Sequence, residues 1–91
     1  MREEVNDAAR KQRFQELVKE RIEQLRKENG ETYYTLSYKS ILPMTTMMHI
    51  VNGTTKNPGA YTIMKICDGL GITMKEFFDT KEFEEVVKES D

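Results

Sequence analysis

Apolar residues recur along this chain at helical spacing. Phe14, Leu17, Val18, Ile22 and Leu25 fall on one face, with Arg and Glu on the other, so residues 1–29 read as one long helix that Gly30 ends. Its first ten residues lack strong apolar periodicity and are expected to fray. Leu36 and small Ser37 mark the inner side of a short second helix, capped by Thr32 or Thr35 and running to Ser40. Met47, Ile50 and Val51 supply the buried side of a third, for which Pro43 suits the first position and Asn52-Gly53 the end. Asn57-Pro58 reads as a cap and first-turn proline for a fourth helix, with Ile63, Ile66, Cys67 and Leu70 as its inner stripe and Gly71 as its stop. Thr73 and Glu76 fit a capping box ahead of Phe77 and Phe78, and Thr80 can cap a last helix bearing Phe83, Val86 and Val87. No stretch alternates with a period of two for long, and there is no internal repeat. The fold class is all-α, with five or six helices joined by short turns.

The segment Thr32–Pro58 stands out within that pattern. A short helix, a tight turn, a second helix and a loop carrying Lys56 form a unit suited to laying one helix against another surface, most often the major groove of DNA. The charge distribution permits that use. Net charge is −2, but residues 30–66 hold three Lys against the single Glu31, while residues 67–91 hold three Lys against eight acids. In residues 1–29 eight basic side chains alternate with seven acidic ones, which reads as a solvated face and not a phosphate track.

At 91 residues the chain is one domain's worth of core. The lone Cys67 excludes a disulfide framework within one chain and fits a reducing cytosol. No apolar run approaches the roughly 20 residues of a membrane span, and the N-terminus is charged, so a cytoplasmic protein with no membrane partner is expected. One His and one Cys, far apart in sequence, suggest no nucleophile–base pair and no metal site, and there is no glycine-rich phosphate loop. The expectation is no enzyme, no cofactor and no small-molecule ligand.

In order and spacing, Arg21-Ile22-x-x-Leu25, Leu36-Ser37, Thr46-Met47-x-x-Ile50-Val51-Asn52-Gly53, Lys56-Asn57-Pro58, Thr62-Ile63 and Lys65 to Thr73 form one pattern. Over about residues 14–79 it resembles the phage repressor and Cro-type (XRE) helix-turn-helix family. The resemblance implies a compact five-helix bundle of the lambda-repressor-like type, here with an extended N-terminal helix (1–13) and an acidic C-terminal helical tail (80–91). It also implies double-stranded DNA as partner, with homodimers on two half-sites about one helical turn apart. The helix Pro43–Asn52 would be the recognition helix, turning Met44, Thr45, Thr46, Met48 and His49 toward bases or nearby backbone. Tyr33 stands where the family often has a phosphate-contacting Gln. Asn52, Thr55, Lys56 and Asn57 match positions that touch the sugar-phosphate backbone.

Three residue choices depart from that pattern. Ile41 stands at the turn position that usually holds Gly with φ > 0, so either the turn is reshaped or packing holds Ile41 under strain. Met44 and Met48 replace polar residues and can only pack on thymine methyls or sugars. No Arg or Gln occurs from Gly30 to Asp91, which removes the best bidentate partners of guanine and adenine. Two functions follow: a sequence-specific transcriptional regulator, or a protein-interaction module (antitoxin-like or an anti-repressor partner) using the Met-bearing face. His49 is either a DNA contact or a plain solvent-facing residue, and Cys67 either a redox sensor or a small buried hydrophobe. The last helix must pack on its own domain or on a second copy, since its short stripe cannot hold alone in water, and the second copy is expected there.

Overall fold

The computed structural model describes the backbone of residues 2–88 and side chains from Asp7 to Lys88. Residues 89–91 of the expected tail, and the side chains of the first six residues of the expected fraying segment, lie outside what is described. Six helices follow one another: α1 (Arg2–Glu28), α2 (Tyr33–Ser40), α3 (Met44–Val51), α4 (Ala60–Leu70), α5 (Met74–Phe78) and α6 (Lys81–Lys88). The fold is all-α, as the periodicity requires, with no strand among the described residues. A 27-residue helix is about 40 Å long, so α1 sets the long axis of a molecule measuring 43 × 24 × 20 Å.

The core is a single cluster in which Val18, Ile22 and Leu25 of α1 meet Leu36, Met47, Ile50, Ile63, Ile66, Leu70 and Phe77. Cys67 belongs to it at 1% exposure. Burial, then the neighbouring Asp68 carboxylate, pushes its thiol up to about 11, so it stays protonated at neutral pH and packs as a small hydrophobe. Thr32 caps α2, and Thr35 closes the capping box from within: each side chain bonds the other's backbone N–H, at 3.0 and 2.9 Å. Thr73 and Glu76 do the same for α5. The bonds from Thr73 hold the Glu76 carboxyl below the usual carboxylate range, so this cap is complete at neutral pH and weakens as pH falls through that lowered value.

Two helix starts differ from expectation by one or two residues. Pro43 is the N-cap of α3 and not its first residue, because its ψ of 143° is extended. The start of α4 falls at Ala60, with Gly59 as N-cap at ψ 160°, so Asn57-Pro58 belongs to the loop.

The C-terminal helix folds back onto α1 of the same chain. Phe83 and Val86 are buried, and Phe83 stands edge-on to Phe14 and Phe78 with ring centroids 5.6 and 5.0 Å apart. Arg10 locks this contact by donating from Nε to the Val86 carbonyl at 2.9 Å, at the end of α6. Arg21 does likewise for α5, donating to the Phe77 carbonyl at 2.7 Å and the Glu76 carbonyl at 2.9 Å. Two of the three stripe residues of α6 are thus covered within the chain without a second subunit, whereas Val87, expected on the same stripe, is 60% exposed.

Helix α2 makes its main contact with α4, and Gly69 permits it. A Cβ there would lie 2.2 Å from Ser40 Oγ, 3.0 Å from Ser40 N and 3.2 Å from Leu36 Cδ1. Propensity alone favours Ala over Gly inside a helix by about 1 kcal/mol, but overpacking costs about 1–3 kcal/mol, and backbone cannot yield as a side-chain tip can. Gly69→Ala is therefore expected to destabilise the fold by up to about 2 kcal/mol in urea unfolding; a gain in stability would show that α2 and α4 separate easily.

The turn after α2 keeps its usual shape. Ile41 sits at φ 54°, ψ 47°, its N–H donating to the Tyr38 carbonyl at 3.1 Å while Leu42 N–H donates to the Ser37 carbonyl at 3.0 Å. This is a Schellman closure with a β-branched residue in the left-handed position. Packing does not hold it there: Ile41 is 77% exposed. Left-handed backbone costs an L-residue about 1–2 kcal/mol, and glycine's extra unfolded-state freedom returns about 0.4–1 kcal/mol of that. Ile41→Gly should stabilise the protein by about 1 kcal/mol, raising Tm by about 4–8 °C; an unchanged or lower Tm would mean that Ile41 gains contacts equal to its strain.

Candidate nucleic-acid interface

Helix α3 is divided cleanly by burial. Met47 and Ile50 are 0 and 2% exposed, Val51 and Thr46 are half-buried, and Thr45, Met48 and His49 face solvent. Met44 is as exposed as Met48, at 38 against 37%. Its sulfur lies 3.4 Å from Ser37 Oγ, whose proton goes to the Tyr34 carbonyl at 2.8 Å, so one side of Met44 rests against α2. The outward surface of α3 is therefore Thr45, Met48 and His49, with Met44 exposed at the edge beside α2.

The loop after α3 is tightly folded. Asn52 Oδ1 accepts from Thr54 N–H at 3.0 Å, and Thr55 N–H donates back to the His49 carbonyl at 2.8 Å, tying the loop to the last turn of α3. Gly53 N–H donates to Ile50 at 3.3 Å. The amides of residues 53–55 are thus spent inside the protein. What the loop offers outward are the side chains of Asn52, Thr55, Lys56 and Asn57, all exposed. Lys56 makes no ion pair among the described residues.

Helix ends divide in the same way. α2 and α5 are closed by capping boxes, whereas α3 and α4 begin without any side-chain cap. Their first N–H groups remain open to an acceptor from outside. The beginning of α4 follows the Asn52–Asn57 loop directly, whereas the beginning of α3 lies at the other end of that helix, about 12 Å away along its axis.

Tyr33 opens α2, half-buried, with the Arg26 guanidinium 4.3 Å from its ring centroid. The sequence reading passed over its neighbours: Tyr34 and Tyr38 are 69 and 80% exposed, and Tyr61 on α4 is 67% exposed. Their signal was present in the i, i+4 spacing of Tyr34 and Tyr38 off the Leu36 stripe. Each carries a hydroxyl able to donate to an anionic oxygen. Of the cations in this segment, Lys39 is engaged by Glu31; bonds from Lys39 and Thr35 hold the Glu31 carboxyl below its usual range. Lys65 lies 5.5 Å from the Tyr61 ring centroid.

Among the described residues no group of three His, Cys, Asp or Glu side chains could hold a metal ion, and no helix is long and apolar enough to cross a membrane. No curated protein and no solved structure matches the chain. The family model of the Cro/C1-type helix-turn-helix DNA-binding domain matches residues 21–82, from the middle of α1 into α6. That is a family of DNA-binding modules and not of enzymes, its match spans the turn at Ile41 and both flanking helices, and this chain belongs to it.

Proposed function

We propose that this protein is a sequence-specific transcriptional regulator that docks α3 in the major groove of double-stranded DNA. The observation that carries the reading is the outward face of α3, where Thr45, Met48 and His49 stand exposed on a helix anchored by Met47 and Ile50. Family membership supports DNA as the ligand; specificity and regulation are the reading's own step. Thr45 and His49 supply hydrogen bonds to base edges, Met48 packs on thymine methyls, and Met44 and Thr46 line the margin. Tyr33, Asn52, Thr55, Lys56 and Asn57 engage sugar and phosphate, joined by the open amides at the starts of α3 and α4. Two copies on adjacent half-sites give the area that a module this small lacks alone, and α6, already packed on α1, leaves that pairing to the DNA.

Selection from random duplex libraries tests the reading directly. Enrichment of a defined site supports it, and complete lack of retention on bulk DNA at low salt would favour the protein-interaction module instead. On the selected site, Thr45→Ala and His49→Ala should each relax discrimination at one base position by about 1–3 kcal/mol. Lys56→Gln should weaken all duplexes alike and flatten the plot of log K against log salt by about 0.9. Fluorescence anisotropy across a salt series separates these effects; a uniform loss from His49→Ala would move that residue from base reading to backbone contact.

A further inference from the structure

We infer that the middle of α1 is a second phosphate-contacting surface, continuous with the loop after α3, carried by Lys11 and Lys19. The inference rests on the DNA-binding reading above and extends its footprint. A groove of about 460 Å³ runs between α1 and the 53–58 loop. Lys11, Lys19, Gln12 and Gln15 stand on one wall and Lys56 on the other. Glu16 is the carboxylate on that lining, and it accepts from the Gln12 amide at 3.4 Å. Lys11, Lys19 and Lys56 are all exposed, and none makes an ion pair among the described residues. Elsewhere on the described surface Lys27, Lys39 and Lys88 have acidic partners, and Lys65, Lys75 and Lys81 stand without an ion pair but apart from this groove.

Three cations converging on one groove against one carboxylate repel each other and attract a polyanion. Lys19 also lines the neighbouring concavity of Tyr33 and Val51, whose other charged residues are Lys27, Glu20 and Glu23, with Glu23 already bonded by Arg26 and Lys27. Lys19 therefore bridges the two places where backbone contact is proposed, Tyr33 at the start of α2 and Lys56 in the loop. The alternation of charge along residues 1–29 hides this in sequence, because neighbours in sequence point in different directions from a helix. At about 100° per residue, Gln15 and Lys19 fall on one flank of the Val18–Ile22 stripe, Lys11 continues the stripe itself beyond the core toward the N-terminus, and Arg10 and Arg21, which bond the ends of α6 and α5, fall on the other flank. A row of phosphates from a duplex seated on α3 fits Lys11 and Lys19 by charge and by continuity.

The test is the salt dependence of DNA binding by the full chain, compared with Lys11→Gln/Lys19→Gln. The cations of the helix-turn-helix segment alone give two or three released counterions per subunit; the added pair raises this to about four or five. The double variant should flatten the log–log slope by about 1.8, so that between 50 and 200 mM salt the wild type loses about twelve-fold more affinity than the variant. The loss should be equal on selected and unrelated duplexes, with the thermal melt unchanged because both side chains are exposed. A slope and affinity unaltered by the double substitution, with Lys56→Gln still flattening the slope, would overturn the α1 surface and leave the DNA reading standing. Absence of any DNA binding by the wild type at low salt would overturn both.

Discussion

The contact on which the arrangement depends is the close approach of α2 to α4 at Gly69. α3 is only eight residues long, buries two side chains fully, and is joined to α2 by a turn of three residues. Its direction is set by where α2 ends. α2 is held against α4 through Leu36, Ser37 and Ser40, so the absence of a side chain at one position of α4 places the helix that faces outward. Ser40 shows how tight the contact is, since its hydroxyl is buried with no hydrogen-bond partner among the described residues. An orphaned hydroxyl costs about 1–3 kcal/mol.

The elements were legible in the chain because each has its own punctuation. Gly30, Gly53 and Gly71 end helices at positive φ, Thr32 and Thr73 start them with capping boxes, and the apolar stripes name the core almost residue for residue. Where the reading slipped, two local signals competed. Pro43 and Pro58 both carry the fixed φ of a first helical residue, but position also depends on ψ, which a proline's ring does not set. The chain stays extended through Pro43, and through Gly59 after Pro58.

The candidate site was legible at the level of the helix and less so at the level of the atom. Periodicity separates the outward side of α3 from Met47 and Ile50. It cannot show that Met44 turns its sulfur to Ser37, or that the loop consumes the amides of Gly53, Thr54 and Thr55. Those facts depend on tertiary neighbours and on loop closure, which have no period. The convergence of Lys11, Lys19 and Lys56 belongs to the same class, because residues of opposite charge adjacent in sequence part company on a helix.

That separation of faces also resolves the apparent mismatch between an acidic chain and a polyanionic ligand. Net charge governs long-range approach, but screening at physiological salt confines each charge to about 8 Å. Within that radius the acids of α6 act on their own side of α1, where Glu84 already holds Lys88. Lys56 and the open amides at the starts of α3 and α4 act on theirs. A duplex seated on α3 thus meets the local charge and not the total. With no Arg or Gln in reach of the bases, the proposed binding mode divides its labour sharply: cations and amides hold the backbone, while a few short side chains and one thioether read the groove.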